Sequence, residues 1–415
     1  MRGGLLTGLF DRFFKTKAKP VNASTEVTGF LREPSATFST FGDNPYANDI
    51  FRGAVDAIAR NAAKLKGVHV VQYGGNRKTA ADAKLTRLLQ VRPNPYMNSY
   101  DMIYKLSTHY FLYNNSFALL DRDERGIVAG IYPINCTHVD MLADESGELF
   151  CRFLLKGGSR VIFPYTDIIH LRRHFNDDEL LGASNQALFP ALELAHTQNS
   201  GIINGIKSSA NIRGILKFTS IMSETKKQEQ KENFIKNYLQ VSNDGGVVVT
   251  DEKTEYTPIE SHPVILSADQ AEAIQKKIYD YLGVTEKIVN SSYSEDEFAA
   301  FYESTIEPLA VQMSLEFTSK IFNGREQSFG NKIVFESGRL QFSSNKTKVN
   351  LIKELLPLGI LTINQALEIL NLPDIEDGDR RLQTLNVVDA EKAIDYQLAR
   401  AGRKVSSDNE GNQDS

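Results

Sequence analysis

The chain has 415 residues, of which 41% are apolar and 24% charged, and its formal net charge is −5. That length exceeds what one core sustains, so two or three cores are expected. The ordinary composition excludes a disordered chain, and no run approaches the roughly 18 consecutive apolar residues of a transmembrane helix. The acidic balance disfavours a protein held on nucleic acid by phosphate neutralisation, which needs clustered Lys and Arg.

Residues 1–14 carry one short apolar stretch that Asp11 and Arg12 interrupt. No small-residue cleavage site follows, so residues 1–44 read as a flexible or amphipathic arm that orders against a neighbour, not as a signal peptide. Only Cys136 and Cys151 occur, too few for a disulfide framework or a CxxC-type zinc site, which points to a reducing compartment such as the cytoplasm.

In residues 46–65, Ile50, Val55, Ile58 and Leu65 fall at helical spacing. A strand follows over 67–73, stopped by Gly74 and Gly75, then a helix over 80–90 ended by the Pro93-Asn94-Pro95 turn. After a helix over 100–110 the pattern becomes β-rich. Short strands are expected at 116–122, 127–133, 149–155, 161–163 and 168–171, separated by glycine turns. These residues form an α/β lobe with a small barrel-like or sheet core.

The helical segment 184–210 carries Gly201 and Gly205 four apart on one face. Glycine costs helix stability, so the pair marks either the close approach of another helix or a frayed, kinked segment. Between residues 212 and 259 a strand, a Lys/Glu-rich helix over 223–239 and a hairpin form a compact insert. Its Lys226, Lys227 and Lys231 alternate with Glu224, Glu229 and Glu232, the pattern of a salt-bridged surface helix more than of a DNA-contact stripe.

Three S/T-x-x-E/Q boxes, at Ser267, Ser294 and Thr362, open helices ending near residues 282, 322 and 370. In the second of these helices Phe298, Tyr302, Thr305, Leu309, Met313 and Phe317 lie near one stripe that faces a core, and Pro308 should kink it. Residues 402–415 are polar and expected to be a disordered tail.

Catalytic signatures are missing. No GxxxxGK[ST] phosphate loop, HExxH, GxSxG or strand-borne GxGxxG occurs. His170 and His174 would chelate a metal only on a helix, and their context reads as strand. Asp177, Asp178 and Glu179 resemble a nuclease's Mg²⁺ cluster without the carboxylates and lysines that complete one, so a solvated loop is the better reading. No catalytic residue, metal or cofactor is assigned.

Three phrases carry more than the periodicities. Arg92-Pro-Asn-Pro-Tyr-Met-Asn-Ser-Tyr-Asp101 resembles the RPNPYMTxxEF-like element of phage portal proteins of the large lambdoid-capsid class. Leu180-Leu-Gly-Ala-Ser184 is similar to that family's LLGxSP element, with Asn185 where proline is common. Gly359-Ile-Leu-Thr-Ile-Asn-Gln-Ala-Leu-Glu-Ile-Leu-Asn-Leu-Pro373, followed by Glu376-Asp-Gly-Asp379, resembles the GILTxNEARxxLGLPPxExGD signature. Relatives often carry a tryptophan in the long helix, a place that Leu309 fills here.

The resemblance implies an α+β portal fold: an α/β wing (45–183), a first stem helix (184–210), a clip (211–265), a second stem helix (266–282), a channel loop (283–293), a long kinked helix with return strands of the wing (294–344) and a helical crown (345–401). It also implies a homo-oligomeric ring of about twelve copies, closed by heterologous contacts, at one capsid vertex of a virion assembled in the host cytoplasm. Double-stranded DNA would pass through it without sequence preference, consistent with the mild acidity. The terminase large subunit, the major capsid protein or scaffold, and head-tail adaptor proteins would be partners, and no membrane. Lys287, Asn290, Ser291, Ser292 and Tyr293 would line the channel, Gly201 and Gly205 would make stem contacts, and Lys226, Lys227 and Lys231 would dock partners at the clip. The alternative is a metal-dependent phage nuclease or another DNA-processing enzyme.

Overall fold

The computed structural model describes residues 13–14, 17, 25–29, 45–73, 76–80, 82–176, 178–209, 214–218, 223–229, 232, 254–258, 268–336, 345–370 and 372–383. The chain divides into a unit of residues 1–335 and a unit of residues 336–415.

The first unit opens with strand β1 (Thr25–Gly29), helix α1 (Asp49–Ala62), strands β2 (Lys66–Tyr73) and β3 (Asn76–Thr79), and helices α2 (Ala83–Gln90) and α3 (Ser99–Tyr113). Each of the three helices starts at a side chain that accepts from an otherwise unpaired first-turn amide: Asn48 from Phe51, Asp82 from Leu85 and Asn98 from Asp101. Six strands follow: β4 (Asn115–Arg122), β5 (Val128–Pro133), β6 (Cys136–Ala143), β7 (Leu149–Leu155), β8 (Arg160–Pro164) and β9 (Ile168–Arg172). They make two antiparallel sheets, ordered β1-β6-β7-β8 and β5-β4-β9. Phe117 and Leu119 from one sheet and Met141, Phe153 and Phe163 from the other share one core. This is the expected sheet core, built as two packed layers. The strand over Cys136–Ala143 was not foreseen, because its Thr137, His138 and Asp140 interrupt the apolar alternation.

The N-terminal arm is a correction. Phe14 is buried in that same core, Phe13 stacks on Tyr132 with ring centroids 4.0 Å apart, and Lys17 pairs with Asp121 at 2.7 Å. β1 pairs antiparallel with β6. These residues belong to the lobe of their own chain, since two adjacent phenylalanines bury more apolar surface in it than a solvated arm could keep.

Helix α4 (Phe189–Ser209) leads to the antiparallel pair β10 (Gly214–Phe218) and β11 (Thr254–Pro258). Between them the Lys/Glu-rich helix is described over residues 224–229. Helix α5 (Ala268–Leu282) returns and packs on both α4 and α1. A one-turn helix α6 (Glu286–Val289) and helix α7 (Glu295–Phe301) precede a π-helical turn (Tyr302–Ile306) and helix α8 (Glu307–Ile321). The single helix to residue 322, expected to kink at Pro308, is therefore two α-helices joined by a π turn. Pro308 falls in the first turn of α8, where its missing N–H is tolerated. The apolar stripe holds, with Phe298, Leu309, Met313 and Phe317 all buried. Helix α9 (Gly324–Ser328) then leads to strand β12 (Asn331–Glu336), which pairs with β2 in the order β12-β2-β3.

Helix α8 also closes two sheet edges with polar side chains. Gln312 accepts from the Arg172 amide at 3.0 Å and donates to the Arg172 carbonyl at 2.8 Å, and Glu316 accepts from the His170 amide at 3.1 Å. On the other side, the amides of Ile333 and Phe335 donate to Thr318 and Ser314, each at 2.9 Å. The backbone edges of β9 and β12 thus find partners without another strand.

The second unit holds helix α10 (Asn345–Leu355), strand β13 (Leu358–Thr362), helix α11 (Ile363–Ile369) and strand β14 (Arg381–Gln383), with β13 antiparallel to β14. The Thr362 capping box forms as expected.

Two outcomes follow. Gln312→Leu strands both polar groups of Arg172, and urea unfolding should show a loss of about 2–4 kcal/mol, whereas an exposed control such as Glu303→Gln should stay within about 0.5 kcal/mol. Burial holds the His109 imidazole down to about 3 and that of His170 well below its ordinary value. The folded chain therefore declines protons that the unfolded chain accepts below about pH 6.5. Stability is complete above that value and falls as pH drops toward 3, by about 1.4 kcal/mol per pH unit for His109, and His170 acts in the same direction. His109→Gln should shallow that slope in unfolding curves measured between about pH 7 and 5.

Candidate functional site

The most concentrated chemistry of the first unit lies where α3 ends, α4 begins and α5 ends. α3 stops at Asn114, whose backbone is left-handed with φ 54°, a conformation asparagine tolerates. The Asn114 side-chain amide donates to the Ala183 carbonyl at 2.7 Å and to Asn185 Oδ1 at 2.8 Å. Asn185 in turn donates to the carbonyls of Phe111 and Leu112, capping α3. Tyr281, in the last turn of α5, donates its hydroxyl to Asn185 Oδ1 at 2.8 Å. Asn185 thus joins three helix ends.

Asn115 binds the backbone of Gly182 from both sides: its Nδ2 donates to the Gly182 carbonyl and its Oδ1 accepts from the Gly182 amide, both at 2.9 Å. A Cβ on Gly182 would lie 2.2 Å from the Arg173 carbonyl oxygen and 2.5 Å from that of Asn114, so no larger residue fits. The buried Arg173 guanidinium donates to the Tyr281 carbonyl at 2.6 Å and lies over the Phe111 and Tyr281 rings. His170 is spent here as well. Its Nε2 meets Asn115 Oδ1 at 3.0 Å, its Nδ1 meets the Tyr165 hydroxyl at 3.2 Å, and its ring stacks on Phe117. Both ring nitrogens are occupied, and no group of three or more metal-ligating side chains occurs among the described residues.

The segment expected as a plain channel loop contains α6, which corrects that reading. Gly283, at φ +75°, ends α5, and Thr305 of the π turn donates to its carbonyl at 2.6 Å. Val284 and Ile288 are buried, and these two anchors hold the turn as helix. Lys287 is ion-paired with Glu297. That contact, together with the Ser294 amide of the capping box, holds the Glu297 carboxyl down to about 2. Asn290 reaches Glu286 at 3.4 Å, and Ser291 has a left-handed backbone with φ 58°. The Ser292 amide donates to the Lys287 carbonyl, and Tyr293 packs on Phe298 with centroids 5.1 Å apart. The five expected residues therefore share one short surface segment. It borders a groove of about 800 Å³ lined by Lys276, Tyr279, Lys287, Glu297 and Phe301, among others.

The other expected positions separate. Gly201 and Gly205 sit in α4, and a Cβ on Gly201 would meet nothing within 4 Å among the described residues. Lys227 pairs with Glu224 at 3.2 Å and Lys226 is exposed; Lys231 lies outside the described residues. In the acidic run, Asp178 accepts from the amides of Leu180 and Leu181 at 2.7 and 2.8 Å. Asp177 lies outside the described residues.

Each recognised phrase has a structural role. Asn94 donates to the Ile131 carbonyl and accepts from the Tyr96 amide, which fixes the Pro-Asn-Pro turn on β5. In the second unit Asn364 accepts from the Ile375 amide and donates to Asp379, holding residues 375–379 against α11. The asparagine joint was missed by sequence reasoning. Its only signal was the pair Asn114-Asn115 after an apolar helix, together with Asn185 at a place where proline is common.

Residues 50–371 match the family model described as phage portal protein. The chain is 29% identical over 210 residues to the probable portal proteins of Lactococcus phages p2 and SK1, a stretch covering 48% of this chain and 55% of each relative. The chain thus spans about half the length of the curated relatives it matches. Among solved structures, a chain in the neck of an empty GTA particle computed with C6 symmetry superposes with a TM-score of 0.60 at 16% identity, covering 85% of this chain and 98% of that one. A chain in the neck of a native GTA particle computed with C12 symmetry gives 0.56 at 17% identity, covering 85% and 97%.

Asn185→Ala leaves the last α3 carbonyls without a donor and should cost about 2–4 kcal/mol in urea unfolding. Gly182→Ala should cost more, because both contacting atoms are backbone, and is expected to yield little folded protein by circular dichroism.

Proposed function

Because the chain belongs to the phage portal protein family, we propose that it is the subunit of a closed ring at one capsid vertex, the conduit for double-stranded DNA during genome packaging and ejection. The observation that carries this reading is the family match across residues 50–371, which spans the two-sheet lobe from β2 onward, the α4/α5 pair, the π-interrupted helix and the start of the second unit. The C6 and C12 symmetry of the particle necks with similar folds supports a ring of about twelve copies, since head-to-tail contacts either close or run on as filaments.

In this reading residues 45–183 form the wing, α4 and α5 the stem, residues 211–265 the clip, residues 283–293 the channel lining and residues 345–401 the crown. The clip, with Lys226, Lys227 and Lys231, receives the terminase large subunit during packaging and head-tail adaptor proteins afterwards. The wing contacts the major capsid protein or scaffold. Gly201, open among the described residues, and Gly205 allow a neighbouring copy to approach the stem. The channel segment offers the Asn290, Ser291 and Ser292 side chains to passing phosphates, while Glu297 already neutralises Lys287. Such a surface touches a moving backbone without holding it, because affinity rises with each phosphate neutralised. The protein is then a virion component assembled in the host cytoplasm, and it performs no catalytic step of its own.

Negative-stain images and sedimentation of the purified chain are expected to show closed rings, and only monomers or dimers with capsid partners supplied would count against the conduit. Purified protein should neither hydrolyse ATP nor cut DNA. Metal-dependent cleavage lost on Asp177→Ala would favour the nuclease. Lys287→Glu sets two carboxylates together and should leave rings intact while lowering packaged DNA, as should deletion of residues 290–292. Wild-type packaging in both variants, or loss of rings, argues against residues 283–293 as the lining.

A further inference from the structure

The described residues of the second unit have local order without a core of their own. Among its described residues Ala366 is the one buried hydrophobic side chain, whereas Val349, Leu358, Ile360, Leu372, Ile375 and Leu382 are 43–52% exposed. Leu358 and Ile360 share one face of β13 by the two-residue repeat, and a two-stranded sheet is marginal by itself. Yet the backbone is firmly set. The Thr362 box starts α11, and Asn364 holds both the Ile375 amide, at 3.0 Å, and Asp379, at 3.0 Å. A Cβ on Gly378 would lie 2.0 Å from Asn364 Oδ1, so the loop sits directly against that side chain. Ile375 is therefore presented in a fixed position while half of it faces solvent.

Charge divides the unit into two unlike ends. Helix α10 carries Lys346, Lys348 and Lys353 against the single acid Glu354, and Val349 lies one turn before Lys353 on the same face. Residues 372–379 carry Asp374, Glu376, Asp377 and Asp379 and no base before Arg380. Each end thus sets exposed apolar side chains beside one sign of charge.

We infer that the basic, Val349-bearing face of α10 in one copy docks on the acidic 372–379 loop of the next copy, with Leu372 and Ile375 buried at the contact. The occupant is a second copy of this chain because the unit carries both halves of the pairing. The two halves are different surfaces, so the contact is heterologous and propagates around a ring without pairing copies back to back. Repeats that cannot bury an apolar face alone gain their core from their neighbours, and charge complementarity fixes the register. The inference rests on the ring reading and adds to it a named contact between second units.

The test follows ring formation by sedimentation of the full chain, reading the concentration at which half the protein is assembled. Lys346→Glu with Lys353→Glu, and separately Asp374→Lys with Glu376→Lys, should each raise that concentration about tenfold, a factor corresponding to about 1.4 kcal/mol. The chain carrying all four changes should return to within about twofold of wild type, and so should an equimolar mixture of the two pair variants, because every contact in an alternating ring is again complementary. Hydrogen exchange across residues 362–370 confirms that each variant keeps its fold. As a measurement without variants, the wild-type value should rise with salt as exposed charges are screened. Wild-type rings that neither pair variant nor salt weakens overturn this contact alone. Weakening without recovery in the fourfold variant and the mixture overturns the pairing. A wild-type chain that never assembles overturns the ring reading together with the contact.

Discussion

A buried backbone amide or carbonyl must find a partner, and in this chain side chains supply many of those partners where no further strand or helix turn is available. Helix α8 shows it most fully. Its apolar stripe, Leu309, Met313 and Phe317, meets the core, while Gln312 and Glu316 finish the edge of β9 and Ser314 and Thr318 finish the edge of β12. One helix therefore links the β5-β4-β9 sheet to a second sheet that joins β2 and β3, from the start of the first unit, with β12, from its end. Glu316 carries the cost: burial raises its carboxyl above the usual range even as the His170 amide and Lys320 act the other way.

The same constraint operates at the asparagine joint, with a different consequence. α3 ends in a left-handed residue, α4 begins and α5 ends beside it; Asn185 closes the last α3 carbonyls and takes the Tyr281 hydroxyl, Asn114 and Asn115 hold the backbone of residues 182–183 ahead of α4, and Arg173 closes the Tyr281 carbonyl in the last turn of α5. Since the two long helices of the α4/α5 pair are tied at this end to one set of side chains, a displacement of either is transmitted to the lobe through hydrogen bonds and not only through apolar contact. The π turn adds a further tie. A π turn shifts the register of the helix after it, and here it brings Thr305 onto the Gly283 carbonyl at the start of the segment that carries Lys287. In the proposed ring, wing, stem and channel lining would be mechanically continuous.

Much of this was legible in the sequence, for an identifiable reason. Apolar period and turn residues report burial and chain reversal, so the five expected strands of the lobe, the capped helices at Ser294 and Thr362, and the stripe through Phe317 all appear. Polar residues that face inward do not report themselves. Gln312, Glu316 and Thr318 read as the solvent side of an amphipathic helix, and Asn185 reads as a loop residue, yet each is placed by what it bonds. β6 escaped because both its faces are covered from Val139 to Leu142 and one of them carries His138 and Asp140, the latter 93% buried beside Arg152, so no continuous apolar run marks it. In the channel segment, composition showed a lone lysine among hydroxyls and amides. It did not show that Glu297, ten residues on, neutralises it.

The two units reach order by different routes. Residues 1–335 bury large side chains such as Phe51, Phe117 and Phe317 completely, and each such side chain contributes about 1.5–3 kcal/mol relative to leaving it exposed. The described residues of the second unit draw on short-range bonds: a capping box, an asparagine that grips a loop, and a two-stranded sheet. Bonds of that kind contribute about 0.5–1.5 kcal/mol each and define a shape without lending it much stability. A segment that is well shaped and weakly cored gains most from whatever covers it. If the chain assembles as proposed, the second unit would gain apolar burial from each closed contact, so its stability would track the integrity of the ring while the first unit keeps its fold as a single chain.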